Sequence, residues 1–168
     1  VHRGYHHRYA DTNQDPHTPN QGFWHSYFLW LFRLEKDSIK TKYVVDLLKD
    51  TDVMFFHRHY MLILWTSHIL VAMISIDVWL WFMLLPAFIS FHKFAFQSSV
   101  THIKRLGYRN YETQDNSVNV WWLWPIMLGE AWHNNHHDNP KNPNYSRHWW
   151  ELDPTYWLVK LIKAFDRQ

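Results

Sequence analysis

The stretch from Tyr60 to Phe96 constrains this chain most, because it is apolar along nearly its whole length and is split by one acidic residue, Asp77. The two runs on either side, Met61–Ile76 and Val78–Phe91, are each short for a membrane crossing, which takes about 20 residues of helix. Tilted or slightly extended, they would cross as a hairpin. Lys36, Lys40, Lys42, Lys49 and Arg58 precede the stretch, and Lys93, Lys104, Arg105 and Arg109 follow it. Basic residues collect on the cytoplasmic side, so both outer ends are expected there and Asp77 on the opposite side. Two crossings return the chain to the side it left, and the segments flanking the stretch can then meet.

Those flanks are polar and rich in histidine and tryptophan, which is why the mean hydropathy of the whole chain is negative, at −0.42. Asp11 to Gln21 is dense in Pro, Asn and Asp and reads as an ordered loop. Gly22 to Phe32 is aromatic and amphipathic, which suits a helix lying in the membrane interface or a core helix of a soluble protein. Arg33 to Lys42 is a solvated charged stretch, and the spacing of Val44, Val45, Leu47, Leu48 and Met54 predicts a helix over Tyr43 to Phe56. Gly107 to Val120 reads as loop, Trp121 to His137 as one helix, and Trp149 to Phe165 as a closing amphipathic helix. The expected class is all-α and membrane-integral, one domain over residues 1–168 with a cytoplasmic, histidine-rich helical cap: residues 1–59 hold the first histidines and interfacial helices, residues 60–96 a transmembrane helical hairpin, and residues 97–168 the cap around the last histidines.

Chemistry is narrowed by what is missing. There is no cysteine, so a metal would be held by nitrogen or oxygen. The formal charge of +2, without a basic tract, gives no footprint for nucleic acid.

The 14 histidines fall into three groups and some isolated positions. The first group is His2, His6 and His7, as H-x-x-x-H-H. The second is His102 alone, just past the apolar stretch. The third is His133, His136 and His137, as H-N-N-H-H. On a helix, His133, His136 and His137 share a face, because residues three and four apart are neighbours. His2 and His6 share one likewise, with His7 turned away by about 100°. Two such helix ends plus His102 would surround a metal pair with imidazole nitrogens, which suit iron, copper, zinc or nickel. His25, His57, His59, His92 and His148 read as solvated or hydrogen-bonded side chains. His68, inside the first apolar run, is a functional candidate or a bond to a neighbouring helix.

At these residues the sequence resembles the membrane fatty acid desaturases, in particular their Δ9 acyl-CoA and acyl-lipid branch. The stretch HRGYHHRYADTNQDPHTPNQGFW resembles that family's second histidine box, and GYRNYETQDNSVNVWWLWPIMLGEAWHNNHHDNP its third. The resemblance implies a four-span fold in which two irons are held by nine histidines, seven of which match His2, His6, His7, His102, His133, His136 and His137. The other two belong to a first box, H-x(3–4)-H, expected before Val1. The chain is accordingly read as an N-terminally truncated piece, unable by itself to hold both irons in working geometry. Two departures stand out. The branch usually has H-x-x-H-H where this chain has one residue more, which turns His2 by about 100° relative to its partners. The family's Asn four residues before the lone His, which reaches one iron through water, is Ser98 here.

An unactivated methylene has no acidic proton and no leaving group, so its oxidation needs a cofactor fed by dioxygen and electrons. A metal-bound imidazole normally donates its other N–H to an acceptor, which fixes its tautomer. Asp11, Asp15, Glu112, Asp115, Glu130 and Asp138 lie near the boxes and are candidates for that role, or else solvated carboxylates and helix caps. The family implies a cis double bond inserted into a saturated acyl chain carried on CoA or a lipid, within membrane lipid. It also implies electrons from a carrier of the cytochrome b5 or ferredoxin type. Three readings compete with a desaturase: a hydroxylase or ketolase of the same membrane group, a non-catalytic remnant, and a soluble zinc-binding protein.

Overall fold

The computed structural model describes residues 6–33 and 41–165, and among these the regular structure is helical, with no strand. His7–Tyr9 form a single turn, α1. They are followed by α2 (Phe23–Tyr27), α3 (Val45–Lys49), α4 (Thr51–Ile74), α5 (Ile76–Trp79), α6 (Leu85–Val100), α7 (Trp124–Met127), α8 (His133–Asp138) and α9 (Pro154–Phe165).

Asp50 ends one helix and begins the next. Its Oδ1 accepts from the amides of Asp52 and Val53 at 3.0 and 3.1 Å, capping α4. The single helix expected over Tyr43 to Phe56 is therefore two helices, α3 and α4. Helix α4 ends at Ser75, whose backbone is extended and whose hydroxyl accepts from the Val78 amide. The break thus comes two residues before Asp77. Across it, the Trp79 indole donates to Nδ1 of His68 at 2.9 Å, so His68 is bound to a neighbouring helix.

From Ile76 to Val100 the chain forms one continuous helical rod, α5 and α6 joined by a π-helical turn at Leu80–Leu84. It is the one helix among the described residues that is long and apolar enough to cross a membrane. Its large side chains, among them Trp81, Phe82, Phe88 and Ile89, are exposed. Its last turns are not: Ala95 and Gln97–Val100 are buried in the polar domain. The apolar helix therefore delivers His102, two residues past its end, into the interior of that domain.

The core there consists of Val100, Val118, Val120, Leu123, Met127, Ala131 and Trp132, with Phe23, Phe96 and Tyr145 packed against it. Short backbone pairings tie its segments together. Tyr108 and Asn119 exchange both hydrogen bonds at 3.0 and 2.7 Å, and the Val120 amide donates to Ala131 O at 2.8 Å. Helix α2 is pinned to α6 by Ser26, whose hydroxyl donates to Ser99 at 2.7 Å, and by Tyr27, whose hydroxyl meets His92 Nδ1 at 2.7 Å. These attachments confine the helix expected over Gly22 to Phe32 to Phe23–Tyr27, with a 3-10 turn at Leu29–Arg33 after it.

Trp121 to His137 is likewise not one helix. Leu128 lies at φ 54°, outside helical space, and the indoles of Trp124 and Trp132 both donate to Leu152 O, at 2.7 and 2.9 Å. That shared acceptor bends the segment around it. Helix α9 begins at Pro154 rather than near Trp149, because Asp153 Oδ1 caps it by accepting from the Tyr156 amide at 3.0 Å. Its apolar residues Trp157, Leu158, Leu161, Ile162 and Phe165 are exposed along one side.

Candidate metal centre

Six of the seven histidines singled out by spacing lie among the described residues, and their side chains converge. His2 lies outside the described residues. The start of α1 (His6 and His7), the turn just past α6 (His102) and α8 (His133, His136 and His137) each supply part of the cluster, so residues from both sides of the apolar stretch meet.

Ring nitrogens of His6, His102, His133 and His137 all lie within 4.8 Å of one another. His133 Nε2 is 3.1 Å from His102 Nε2 and 3.0 Å from His137 Nε2. A second pair stands beside them: His136 Nε2 is 3.3 Å from His7 Nε2. The face shared by the third box is thus divided. His133 and His137, one helical turn apart, point to one nitrogen cluster, and His136 points to the other. His6 and His7 divide in the same way, as the rotation of about 100° between adjacent helical residues requires.

The opposite ring nitrogens are held by carboxylates. His102 Nδ1 is 2.8 Å from Asp11 Oδ2, His137 Nδ1 is 2.7 Å from Asp115 Oδ2, and His6 Nδ1 is 3.0 Å from Asp15 Oδ2. Each carboxylate is itself fixed. Asp11 also accepts from the Asn116 amide at 2.7 Å, and Asp115 from the Thr113 hydroxyl at 2.7 Å and the Ser117 amide at 3.0 Å.

Burial drives the three imidazoles of the third group toward neutrality. It lowers His136 to about 3, helped by the nearby His7 and His137. It lowers His137 to about 4, against the opposing pull of Asp115, and it holds His133 well below the ordinary histidine range. Asp15 is held at about 2: burial works to raise it, and the hydrogen bond from His6 and the charges of His17 and His6 outweigh burial. Burial also works to raise Asp115, but the His137 contact keeps it well below the usual carboxylate range. At neutral pH the Asp115–His137 contact is therefore a neutral N–H donating to a carboxylate rather than an ion pair.

These contacts decide what the cluster can hold. A proton on Nδ1 of His102 and His137, donated to Asp11 and Asp115, leaves Nε2 of each as a bare lone pair. Both lone pairs face His133 Nε2, where one proton satisfies at most one of them. A cation satisfies all three at once. The spacing fits: with metal–nitrogen bonds of about 2.1 Å, two ligands about 90° apart place their nitrogens about 3.0 Å from each other. The residues present therefore fit an imidazole-held transition ion, with the carboxylates oriented outward as tautomer-fixing acceptors.

The remaining candidates are distributed unevenly. Ser98 and Glu130 line a cavity of about 420 Å³ together with His6, His7, His133 and His136. Glu130 Oε2 accepts from Gln97 Nε2 at 3.1 Å and, among the described residues, makes no hydrogen bond to a histidine. Glu112 and Asp138 are exposed on the wall of a second, polar cavity of about 370 Å³ shared with His7 and His137. Among the isolated histidines, His25 meets Pro16 O at 3.0 Å, His59 meets Phe55 O at 2.8 Å and His148 meets Asn110 Oδ1 at 3.2 Å.

Sequence reasoning passed over His17. It is buried, its ring lies 4.3 Å from that of His6, and Asp15 stands between them, with His17 Nδ1 3.6 Å from Asp15 Oδ1. The available signal was the Asp15-Pro16-His17 run in a loop directly after a histidine box.

Comparison with known proteins places the chain. The fatty acid desaturase family model matches residues 1–164. The chain is 34% identical over 164 residues to the Delta-9 acyl-lipid desaturase 1 of Arabidopsis thaliana, covering 95% of this chain and 53% of that protein. It is 33% identical over 159 residues to the sn-1 stearoyl-lipid 9-desaturase of Synechocystis, covering 94% and 49%. It is 32% identical over 170 residues to the acyl-CoA C20 Delta5-desaturase of Anemone leveillei, covering 95% and 52%. The chain spans about half the length of the curated relatives it matches.

Proposed function

The chain belongs to the fatty acid desaturase family, and from that premise we propose that it carries most of the metal centre of a membrane enzyme that inserts a cis double bond into a saturated acyl chain. The observation that carries this reading is the convergence of His6, His102, His133 and His137 beside the His7–His136 pair, with three of the six rings backed by a carboxylate. Two nitrogen clusters correspond to two irons. His2 is proposed as a further ligand.

Two irons with dioxygen and external electrons supply the oxidising power that an unactivated methylene requires. The chain's own residues have simpler tasks. Asp11, Asp15 and Asp115 fix the tautomers of His102, His6 and His137. Burial keeps His133, His136 and His137 neutral and hence able to bind a cation. Ser98, in the wall of the cavity of about 420 Å³, offers a hydroxyl for a bound water beside the histidines.

The apolar helix Ile76–Val100 supports membrane insertion. We place α4 and the α5–α6 rod as a transmembrane hairpin, with the histidine domain on the cytoplasmic side where Lys93, Lys104, Arg105 and Arg109 gather. The substrate is an acyl chain on CoA or a lipid, lying in membrane lipid with its head group at the cytoplasmic surface. Relatives named as Δ9 acyl-lipid desaturases favour the Δ9 position. Electrons come from a separate carrier of the cytochrome b5 or ferredoxin type.

The test is mass spectrometry of acyl chains from cells expressing the protein. A mass loss of two hydrogens with no oxygen gained supports desaturation. An acyl product that retains oxygen assigns a hydroxylase or ketolase instead, and unchanged lipids remove the enzymatic reading.

A further inference from the structure

The third box contains two asparagines between its histidines, and their contacts are as specific as those of the histidines. Helix α8 is only 6 residues long, and its N-cap residue, Trp132, makes no side-chain capping bond. Such a short helix is marginal alone, and its first amides need acceptors from elsewhere. Both are supplied by one side chain. Asn119 Oδ1 accepts from the Asn134 amide at 2.9 Å and from the Asn135 amide at 3.3 Å. Asn119 Nδ2 donates to Asn135 Oδ1 at 2.9 Å.

Asn119 is itself immobile. It is fully buried, and its backbone exchanges two hydrogen bonds with Tyr108. The neighbouring chain passes so close that a Cβ on Gly107 would collide with Asn119 O. The other asparagines extend the clamp. Asn134 Oδ1 accepts from the amides of Asn110 and Tyr111, both at 2.9 Å, which holds α8 to the loop that carries Asp115. Asn135 Nδ2 donates to the buried carboxylate of Glu151 at 2.9 Å.

We propose that Asn119 is a positioning residue of the histidine centre: its carboxamide replaces the missing N-cap of α8 and fixes the rotation of that helix about its axis. The inference rests on the metal reading above. Rotation matters because His133 and His137 must aim at one nitrogen cluster and His136 at the other. Ligand constellations lose function when displaced by more than about 0.5 Å. The H-N-N-H-H pattern then has a division of labour, with histidines toward the metal and asparagines toward the scaffold.

The test uses the detergent-purified protein titrated with Co(II), whose visible spectrum reports its ligand geometry. Asn119→Ala is expected to weaken Co(II) binding about tenfold or more and to shift the spectrum. Asn119→Asp keeps the capping acceptor but sets a carboxylate oxygen against Asn135 Oδ1 in place of the donor, and is expected to fall between Asn119→Ala and wild type. Leu123→Ala, a core truncation touching no α8 amide, is expected to lower the melting temperature and leave affinity and spectrum unchanged. Wild-type affinity and spectrum in Asn119→Ala overturn the proposal, as does an equal loss in Leu123→Ala. Should Asn119→Ala not fold, amide exchange in the wild type decides: slow exchange at Asn134 and Asn135 supports the clamp, and unprotected exchange overturns it. Absence of Co(II) binding by the wild type removes the metal reading itself, and the proposal with it.

Discussion

Asp11 and His102 are separated by 91 positions in the chain, yet Asp11 Oδ2 lies 2.8 Å from His102 Nδ1. Asp11 reaches this point in the left-handed region, at φ 61°, a conformation that is uncommon outside glycine and tolerated best by Asn and Asp. The loop after the first histidines is thus folded so that its carboxylate holds a histidine beyond the apolar helix.

Replacing Asp11 by Ala leaves the His102 tautomer unfixed and the Asn116 amide without its acceptor. Metal affinity is expected to fall by about 10- to 100-fold, the usual cost of losing such a partner. Asp11→Asn, which can still accept through its carbonyl oxygen, is expected to lie between. Competition with a coloured chelator measures both.

The two nitrogen clusters predict separable losses. His136→Ala breaks the His136–His7 pair and is expected to remove one tightly bound ion per chain. His133→Ala breaks the contacts to His102 and His137 and is expected to remove the other. Elemental analysis of the purified variants reads the counts. Equal, complete loss in both single variants would show one cooperative site.

Stability of the metal-free protein is expected to depend on pH. His136 at about 3 and His137 at about 4 in the folded chain lie below the unfolded value of 6.5. Between those limits the unfolded chain binds more protons, so stability rises with pH. The histidine contribution is fully present above about 6.5 and is lost progressively as pH falls toward 4 and 3. Chemical denaturation at pH 7.5, 6 and 5 should show a decreasing midpoint, and a bound metal should steepen the trend by competing with protons.

Gly129 has no space for a side chain, because a Cβ there would meet the Asp153 carboxylate. That carboxylate accepts from the amides of Tyr145 and Tyr156, both at 3.0 Å, so it cannot move without cost. Gly129→Ala is expected to destabilise by about 1–3 kcal/mol. Adding Asp153→Ala should make the combined loss smaller than the sum, since the two sites touch. Thermal melts of the two single variants and the double variant decide it.

How much of this was legible in the sequence varies by element. Histidine spacing predicted which residues could share a face, since helical geometry is local, and the structure brings the six described candidates together. How they sort into two clusters depends on which partner each ring meets, and His7 meets His136 across 129 positions. The carboxylates near the boxes were visible as a set. Which of them turn inward was decided by loop folds that no local pattern encodes: Asp11, Asp15 and Asp115 do, while Glu112 and Asp138 remain exposed. Helix boundaries were misplaced where caps were overlooked. Asp50 before Thr51, and Asp153 before Pro154, are ordinary start signals. The bend in the third-box segment was signalled only by Pro125 and Gly129, and its shape is fixed by Trp124 and Trp132 sharing Leu152 O as acceptor.

The most direct test of the histidine centre is anaerobic titration of the purified protein with Fe(II), alongside a His102→Ala, His133→Ala, His136→Ala variant. The predicted result is tight, saturable binding by the wild type that is lost in the triple variant while its helical circular dichroism is retained. Equal Fe(II) binding by the two proteins, or none by the wild type, would contradict the assignment of these histidines as the metal centre.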